Sequence, residues 1–286
     1  MARLMKMAGD DKQKKAKAGQ EDKQAEERRS PGGHIVYKAV QKEGEDELER
    51  TNSALAWSGL AAGLSMGFSL MGEGLLQSHL PDAPWRPLLT KFGYSIGFLV
   101  VILGRQQLFT ENTLTVILPL LRKRDLRSFG NVVRLWSIVL AANLFGGFVV
   151  AWALGNTNAL EPAAREAMKE IGLLSMNHDF VTLMIRGIFA GWLIALMVWL
   201  LPFAETARVG VIIIITYVVG IGELSHIVAG SVDAFYLVGT GVKTFAEYFA
   251  YMVPILIGNI IGGSSIVAAI AHAEYVSGEE GERSAL

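Results

Sequence analysis

From residue 54 onward the chain alternates long apolar stretches with short polar connectors. About 20 apolar residues, each rising 1.5 Å in a helix, cross the roughly 30 Å hydrocarbon core of a bilayer. Four stretches approach or reach that length, namely residues 54–72, 135–155, 180–201 and 249–271. The pattern therefore predicts four membrane-spanning helices in an all-α membrane protein.

Two further apolar stretches are interrupted near their middle. Residues 92–104 stop before Arg105 and apolar residues resume over 114–121, whereas residues 209–222 stop before Glu223 and resume over 227–239. Short hydrophobic segments interrupted by polar residues or glycine indicate discontinuous helices, because irregular backbone at membrane depth must be buried in protein or line a cavity. The chain is therefore predicted to have six transmembrane helices, with helices 2 and 5 broken.

The two halves of this region repeat one another. The motif Asn-Leu-Phe-Gly-Gly at 143–147 recurs as Asn-Ile-Ile-Gly-Gly at 259–263, and the same offset of 116 residues pairs Thr110 with His226 at the two breaks. Three spans per half place the halves in opposite orientations, which is the inverted 3+3 repeat of many transporters and channels. Close helix packing is the expected role of the small motif residues Gly146, Gly147, Gly262 and Gly263, which follow Asn143 and Asn259.

Charge is concentrated at the N-terminal end of the chain. Residues 1–50 hold 12 Lys/Arg and 11 Asp/Glu of the 53 charged residues, although the net charge is only −1. We expect residues 1–50 to form a solvated tail, partly helical or disordered, residues 51–273 a six-helix transmembrane domain, and residues 274–286 a second short tail. The excess of Lys and Arg on the side of the tail predicts cytoplasmic termini.

The composition also limits the chemistry. There is no Cys, and the five His residues show no metal-ligand spacing, so neither a metal nor a cofactor is expected. A net charge near zero does not favour nucleic acid as a partner. Because the sequence contains no nucleophile–base set, the protein is not expected to be an enzyme.

The candidate functional residues lie at the two breaks. An ionisable residue inside a membrane segment indicates function because its burial is costly, and His226 is such a residue. The alternative for His226 is a neutral structural role, bonded to a carbonyl that the break frees. The polar side chains Thr110 and Asn112 can bind freed backbone groups or a solute. An ion pair is the expected role of the nearby charges Arg105, Glu111 and Glu223, whereas Glu73 is expected near an interface without a special role.

These residues resemble the signatures of a known family. Leu-Phe-Thr-Glu-Asn-Thr at 108–113 is similar to the first signature of the formate/nitrite transporters, and residues 258–263 are similar to the second. His226 occupies the place of that family's central histidine. The resemblance covers residues 50–273 and is strongest to a branch of inner membrane proteins within the family.

The resemblance implies an aquaporin-like six-helix protomer in a homopentamer, embedded in the lipid bilayer of a bacterial inner membrane. Each protomer would move a small monovalent anion such as formate or nitrite, and His226 would donate a proton or a hydrogen bond to it. The pathway residues implied by the matched motifs are Tyr94 and Val219 at an outer constriction, Phe98 and Leu108 at an inner one, and the neighbouring Phe109.

Several positions depart from the family pattern. Ser175 stands where many members have a Lys, Gly230 and Gly191 stand where an Asn is frequent, and Gln107 replaces a Glu. Loss of that cation and those amides favours an alternative, a channel for a small neutral solute such as glycerol, water or a protonated acid. A second alternative is a membrane scaffold that binds a partner through its charged tail.

Overall fold

The computed structural model describes residues 32–284, with side chains described up to residue 277. The chain divides into two units, Met1–Ile35 and Val36–Leu286. Of the first unit only residues 32–35 are described, and they begin helix α1 (Gly33–Glu49). Residues 1–31 of the predicted tail therefore lie outside the described residues, and most of its remaining residues form α1.

The described part of the chain is built from α-helices, with no β-strand among residues 32–284. Five helical segments are long and apolar enough to cross a membrane, and they are Asn52–His79, Arg86–Leu103, Leu126–Asn156, Phe180–Phe203 and Phe245–Ser277. Four of them contain the four unbroken spans predicted from the sequence, and Arg86–Leu103 contains the first half of the predicted second span.

The helices are numbered along the chain as follows: α2 (Asn52–His79), α3 (Arg86–Thr90), α4 (Tyr94–Leu103), α5 (Asn112–Thr115), α6 (Ile117–Lys123), α7 (Leu126–Asn156), α8 (Pro162–Ser175), α9 (Phe180–Leu200), α10 (Arg208–Ile221), α11 (Ile227–Gly239), α12 (Phe245–Ile260) and α13 (Ala269–Ser284). A π-helical segment, Ile261–Ala268, joins α12 to α13. The predicted fifth span corresponds to α10 and α11, which are separated by residues 222–226.

Side-chain caps define where the long helices begin. Asp179 accepts hydrogen bonds from the backbone N–H groups of Val181 and Thr182 at 3.0 and 3.1 Å, which satisfies donors that have no partner within α9. Hydrogen bonds from the Thr182 hydroxyl and amide hold the pKa of Asp179 below its usual value. The caps fix the start of α9 immediately after a polar connector.

The long helices pack through glycines that allow backbones to approach. A Cβ atom on Gly63 of α2 would overlap the backbone carbonyl of Asn143 in α7, and one on Gly191 of α9 would overlap the carbonyl of Asn259 in α12. Large apolar side chains are instead exposed on the outside of the bundle, for example Trp57 at 72%. An apolar exterior of this kind is suited to lipid or to a neighbouring subunit.

Candidate solute pathway at the two helix breaks

Both breaks begin with the same helix-ending hydrogen bonds. After α4, the N–H of Arg105 bonds the carbonyl of Ile102 at 3.1 Å, and the N–H of Gln106 bonds the carbonyl of Val101 at 2.9 Å. This pair of bonds is a Schellman motif, whose turning residue adopts a left-handed conformation and is usually glycine. Here Arg105 takes that conformation, with φ = 50°.

The break after α10 repeats this motif. The N–H of Glu223 bonds the carbonyl of Gly220 at 3.1 Å, the N–H of Leu224 bonds the carbonyl of Val219 at 2.9 Å, and Glu223 also has φ = 50°. Arg105 and Glu223 are separated by 223 − 105 = 118 positions. Two charged residues of opposite sign therefore hold equivalent strained positions at the two breaks.

Two buried asparagines hold the breaks in place. Asn143 accepts the N–H of Phe109 at 2.9 Å and donates to the carbonyls of Gly59 and Gln107, both at 2.8 Å. Two of these groups belong to the first break and the third to α2, so one amide of α7 ties α2 to the break. The asparagine that precedes the packing glycines therefore holds the first break in place.

Asn259 makes the same three contacts at the second break. It accepts the N–H of Ile227 at 2.8 Å and donates to the carbonyls of Gly187 and Ser225 at 2.8 and 2.9 Å. The residue between the clamped pair is His226 here and Leu108 at the first break. The prediction that Thr110 and His226 are equivalent positions of the repeat is therefore wrong. The asparagine motifs are 116 residues apart, but equivalent residues at the breaks are 118 apart.

His226 lies at the start of α11 and is almost completely buried. Its Nδ1 faces the backbone N–H groups of Val228 and Ala229 at 3.3 and 3.2 Å and must act as their acceptor. This hydrogen-bond pattern assigns the proton of the neutral ring to Nε2, which lies 2.7 Å from the hydroxyl oxygen of Thr110. His226 therefore donates to Thr110 and joins the two breaks directly.

Buried apolar side chains lie around this contact. Phe98 is fully buried, and its ring centroid lies 5.0 Å from that of His226 in an edge-on arrangement and 5.2 Å from that of Tyr94. Leu108 and Val219 are also fully buried, whereas Phe109 stacks edge-on against Trp136 of α7. These apolar side chains, here called the barrier, surround the contact between His226 and Thr110.

A cavity of about 140 Å³, here the His226 cavity, lies on one side of the barrier. Its lining includes His226, Val219, Tyr94 and charged residues from several helices. One of the charged residues, Lys91, donates to the Glu73 carboxylate at 2.5 Å. The Glu73 side chain is only 3% exposed and is paired with Lys91, so the expectation that it has no special role is wrong.

Ser175 and Gly230, two positions that depart from the family pattern, contact the same side chain in this cavity. The Ser175 hydroxyl lies 2.7 Å from the Tyr251 hydroxyl, and a Cβ atom on Gly230 would overlap that same phenol oxygen. Tyr251 therefore fills space that a larger residue at position 230 would need. The two departures form one local arrangement around Tyr251.

A larger cavity of about 590 Å³, here the α1 cavity, lies beside α1 and the first break. Asn112 and Glu111 line it, and the Asn112 amide donates to the Gln107 side chain at 3.0 Å. Arg105 is 72% exposed and pairs with Glu43 of α1 at 3.1 Å rather than with Glu111. The two cavities share no lining residue.

The remaining predicted site residues contact neighbouring helices or charges. Glu223 lies 3.4 Å from Arg186 of α9. A Cβ atom on Gly263 would overlap the Thr113 side chain, Gly262 and Gly146 each lie against the backbone of a neighbouring helix, and Gly147 faces Val232. The pair of Lys91 with Glu73 was not predicted from the sequence. Its only signal there is two charges at the ends of adjacent apolar stretches.

The chain matches the family model "Formate/nitrite transporter" over residues 34–273. It is 40% identical over 251 residues to inner membrane protein YfdC of Escherichia coli, covering 87% of this chain and 81% of that protein. Its fold is similar to that of an FNT family ion channel, with a TM-score of 0.71 and 18% identity over 82% of this chain and 96% of that one.

A second solved structure, a pentameric formate channel with formate bound, matches with a TM-score of 0.63 and 20% identity, over 82% of this chain and 99% of that one. At these identities the two structural matches describe the fold alone. The match to the family model covers far more than half of the sequence, and the 40% identity extends over most of both chains. The chain therefore belongs to the formate/nitrite transporter family.

Proposed function

We propose that the protein lets a small monovalent anion of the formate or nitrite class cross the membrane along a path that passes His226. The observation that carries the proposal is the 2.7 Å contact between His226 Nε2 and the Thr110 hydroxyl, which lies at the meeting of the two breaks. Membership of the transporter family and the fold of a channel that binds formate support the same conclusion.

The donors at this point suit an anion. His226 offers its Nε2–H, and the Thr110 hydroxyl, which accepts that bond, keeps its own hydrogen to donate. An anion reaching the barrier can replace the Thr110 oxygen as the acceptor of the Nε2–H and can also accept the Thr110 hydroxyl hydrogen, so it receives one or two hydrogen bonds. Hydrogen bonds to a charged group are about twice as strong as neutral ones, so they offset part of the desolvation cost.

Proton linkage through His226 is the second part of the proposal. A bare anion among Phe98, Leu108 and Val219 loses its hydration, whereas its neutral acid loses much less. Because Nδ1 accepts two N–H groups of α11, the ring is neutral and carries its one proton at Nε2, and giving that proton up would leave an imidazolate. His226 would therefore donate a hydrogen bond from Nε2 to the anion, and the proton that neutralises the anion would come from bulk water and be released on the other side with the acid.

We also propose the arrangement of the chain in the membrane. The chain has six membrane-crossing segments in an inverted 3+3 repeat, both termini are cytoplasmic, and five protomers assemble around an axis. The equivalent contacts of Asn143 and Asn259 support the repeat, and the likeness to a pentameric channel supports the assembly. In this orientation the α1 cavity opens to the cytoplasm and the His226 cavity opens to the opposite side.

Flux into proteoliposomes tests the proposal. Labelled formate, nitrite, acetate and glycerol are offered to the wild type, to His226→Phe, and to His79→Phe, a matched control at an exposed histidine. We expect uptake of formate or nitrite by the wild type and the control, and a loss of at least about tenfold, equal to about 1.4 kcal/mol, in His226→Phe. Anion uptake unaffected by His226→Phe would contradict the proposed role of His226. Uptake of glycerol alone would contradict the proposal that the solute is an anion.

A further inference from the structure

The walls of the His226 cavity carry one more negative charge than positive. Five charged residues line it, three acidic and two basic, and they are Glu73, Lys91, Arg186, Glu223 and Asp233. An entrance that an anion must use would be expected to carry excess positive charge. Whether an anion can enter the cavity therefore depends on which of these charges are paired.

Both cations in the cavity are engaged by other carboxylates. Lys91 lies 2.5 Å from the carboxylate of Glu73. Arg186 donates to the carbonyl of Glu223 at 3.2 Å, lies 3.4 Å from its carboxylate, and contacts His178 at 2.7 Å. Each cation therefore forms its ion pair with another carboxylate, and Lys91 acts on the third carboxylate only at longer range.

Asp233 is that third carboxylate. It lies on α11 seven residues after His226, which is about two turns and 10 Å along the same helix face. Among residues 32–277, no Lys, Arg or His nitrogen lies within 4 Å of its carboxylate, and Glu73, Lys91 and Ser175 are the groups that act on it. Asp233 lines the His226 cavity, which is the space a solute would occupy.

The other titratable or charged groups around Asp233 come from every helix that borders the cavity. They are Glu73 of α2, Lys91 before α4, Tyr94 of α4, Arg186 of α9, Glu223 and His226 at the second break, and Tyr251 of α12. The two ion pairs are each neutral overall, and the phenols of Tyr94 and Tyr251 carry no charge at neutral pH. Asp233 therefore determines the sign of the field that an entering anion meets.

We propose that Asp233 is a specificity-determining residue that admits an anion to the His226 cavity only when its carboxyl carries a proton. This inference rests on the proposed anion pathway. Ionised Asp233 repels the entering anion in a narrow space of low dielectric, whereas the neutral carboxyl can donate a hydrogen bond to it. The proton comes from bulk water on that side and returns there, so none is transferred to the solute.

Electrical current separates this effect from permeation of the neutral acid, because a neutral molecule carries no current. Formate current across planar bilayers is recorded at about pH 5.5 and about pH 7.5 for the wild type, Asp233→Asn and Asp233→Glu. Assembly of each variant is checked by gel filtration in detergent. Ser175→Lys is a second route to the same change, because it places an ammonium group beside Asp233.

We expect the wild-type current to fall about tenfold from the lower to the higher pH, which corresponds to about 1.4 kcal/mol. The Asp233→Asn current should stay nearly constant, so at the higher pH it should exceed the wild-type current about tenfold. Asp233→Glu should keep the pH dependence, and Ser175→Lys should raise the current at the higher pH. An unchanged pH profile in Asp233→Asn would overturn this inference and leave the anion pathway standing. No formate current in the wild type or in any variant would overturn this inference, whereas the anion pathway itself is overturned only if labelled formate and nitrite are not taken up into proteoliposomes.

Discussion

Asn259 holds three backbone groups together at the second break, and its removal should destabilise the fold. The side chain is completely buried. It accepts the N–H of Ile227 at 2.8 Å and donates to the carbonyls of Gly187 and Ser225. Asn259→Ala removes all three hydrogen bonds and leaves no water access to the groups that lose them.

The size of the effect follows from which groups lose a partner. The N–H of Ile227 is among the first of α11 and has no acceptor within the helix, so it bears the full cost of an unpaired buried donor, about 1–3 kcal/mol. The two carbonyls each lose one bond, and together they add about 1–2 kcal/mol. We therefore expect the free energy of unfolding to fall by about 2–5 kcal/mol in total.

Thermal unfolding in detergent, followed by gel filtration after heating, measures this change. A loss of 2–5 kcal/mol corresponds to a melting temperature lower by roughly 5–15 °C for a chain of this size. Asn259→Asp has the same shape and keeps the acceptor, but it turns a carboxylate oxygen toward two carbonyls. It should therefore be at least as destabilising as Asn259→Ala. Because Asp keeps the volume of Asn, that loss of stability is due to the hydrogen bonds and not to an empty space.

Asn156→Ala is the matched control. Asn156 also donates to two backbone carbonyls, those of Trp152 and Gly239, but it is exposed, and water can replace both bonds. Its melting temperature should stay within about 2 °C of the wild type, since surface substitutions change stability little. If Asn259→Asp and Asn156→Ala were equally stable, the claim that Asn143 and Asn259 hold the breaks in place would be refuted.

Other predictions concern the contact at His226, the strained turn and the helix packing. Thr110→Val, which keeps the shape but loses the acceptor of His226, should lower formate uptake into proteoliposomes about tenfold, or about 1.4 kcal/mol, whereas Thr110→Ser should retain it. Arg105→Gly should be about 1 kcal/mol more stable to heat than Arg105→Ala, because both lose the pair with Glu43 but only glycine relieves the positive φ. In the same assay Gly63→Ala should destabilise by about 1–3 kcal/mol through overlap with a backbone carbonyl, and Gly130→Ala, which faces open space, should not.

Much of the helical framework could be predicted because apolar length alone identifies a helix that crosses a membrane. The four unbroken spans and the two interruptions were predicted to within a few residues at most ends, although α2 extends to His79. The amphipathic helix α8 (Pro162–Ser175) was not predicted, since its residues are too polar for a hydropathy criterion. Helices held by packing on one face need periodicity rather than mean hydropathy to be found.

The site was predictable in its members and less so in its contacts. Thr110 and His226 were both singled out because polar residues at a break inside a membrane are unusual, and the structure brings them into contact. The offset of 116 was taken from the asparagine motifs, but the connection from break to motif is two residues shorter in the second half, so it does not apply at the breaks. The pairing of Lys91 with Glu73 depends on tertiary placement across a connector, which hydropathy does not record.

The central claim is that an anion crosses the membrane past the hydrogen bond between His226 and Thr110. Initial rates of labelled formate uptake, measured in proteoliposomes with equal amounts of assembled wild type and His226→Phe, test it most directly. We predict uptake well above protein-free liposomes for the wild type and a reduction of at least about tenfold, or about 1.4 kcal/mol, in the variant. Equal rates for the two proteins would contradict the account.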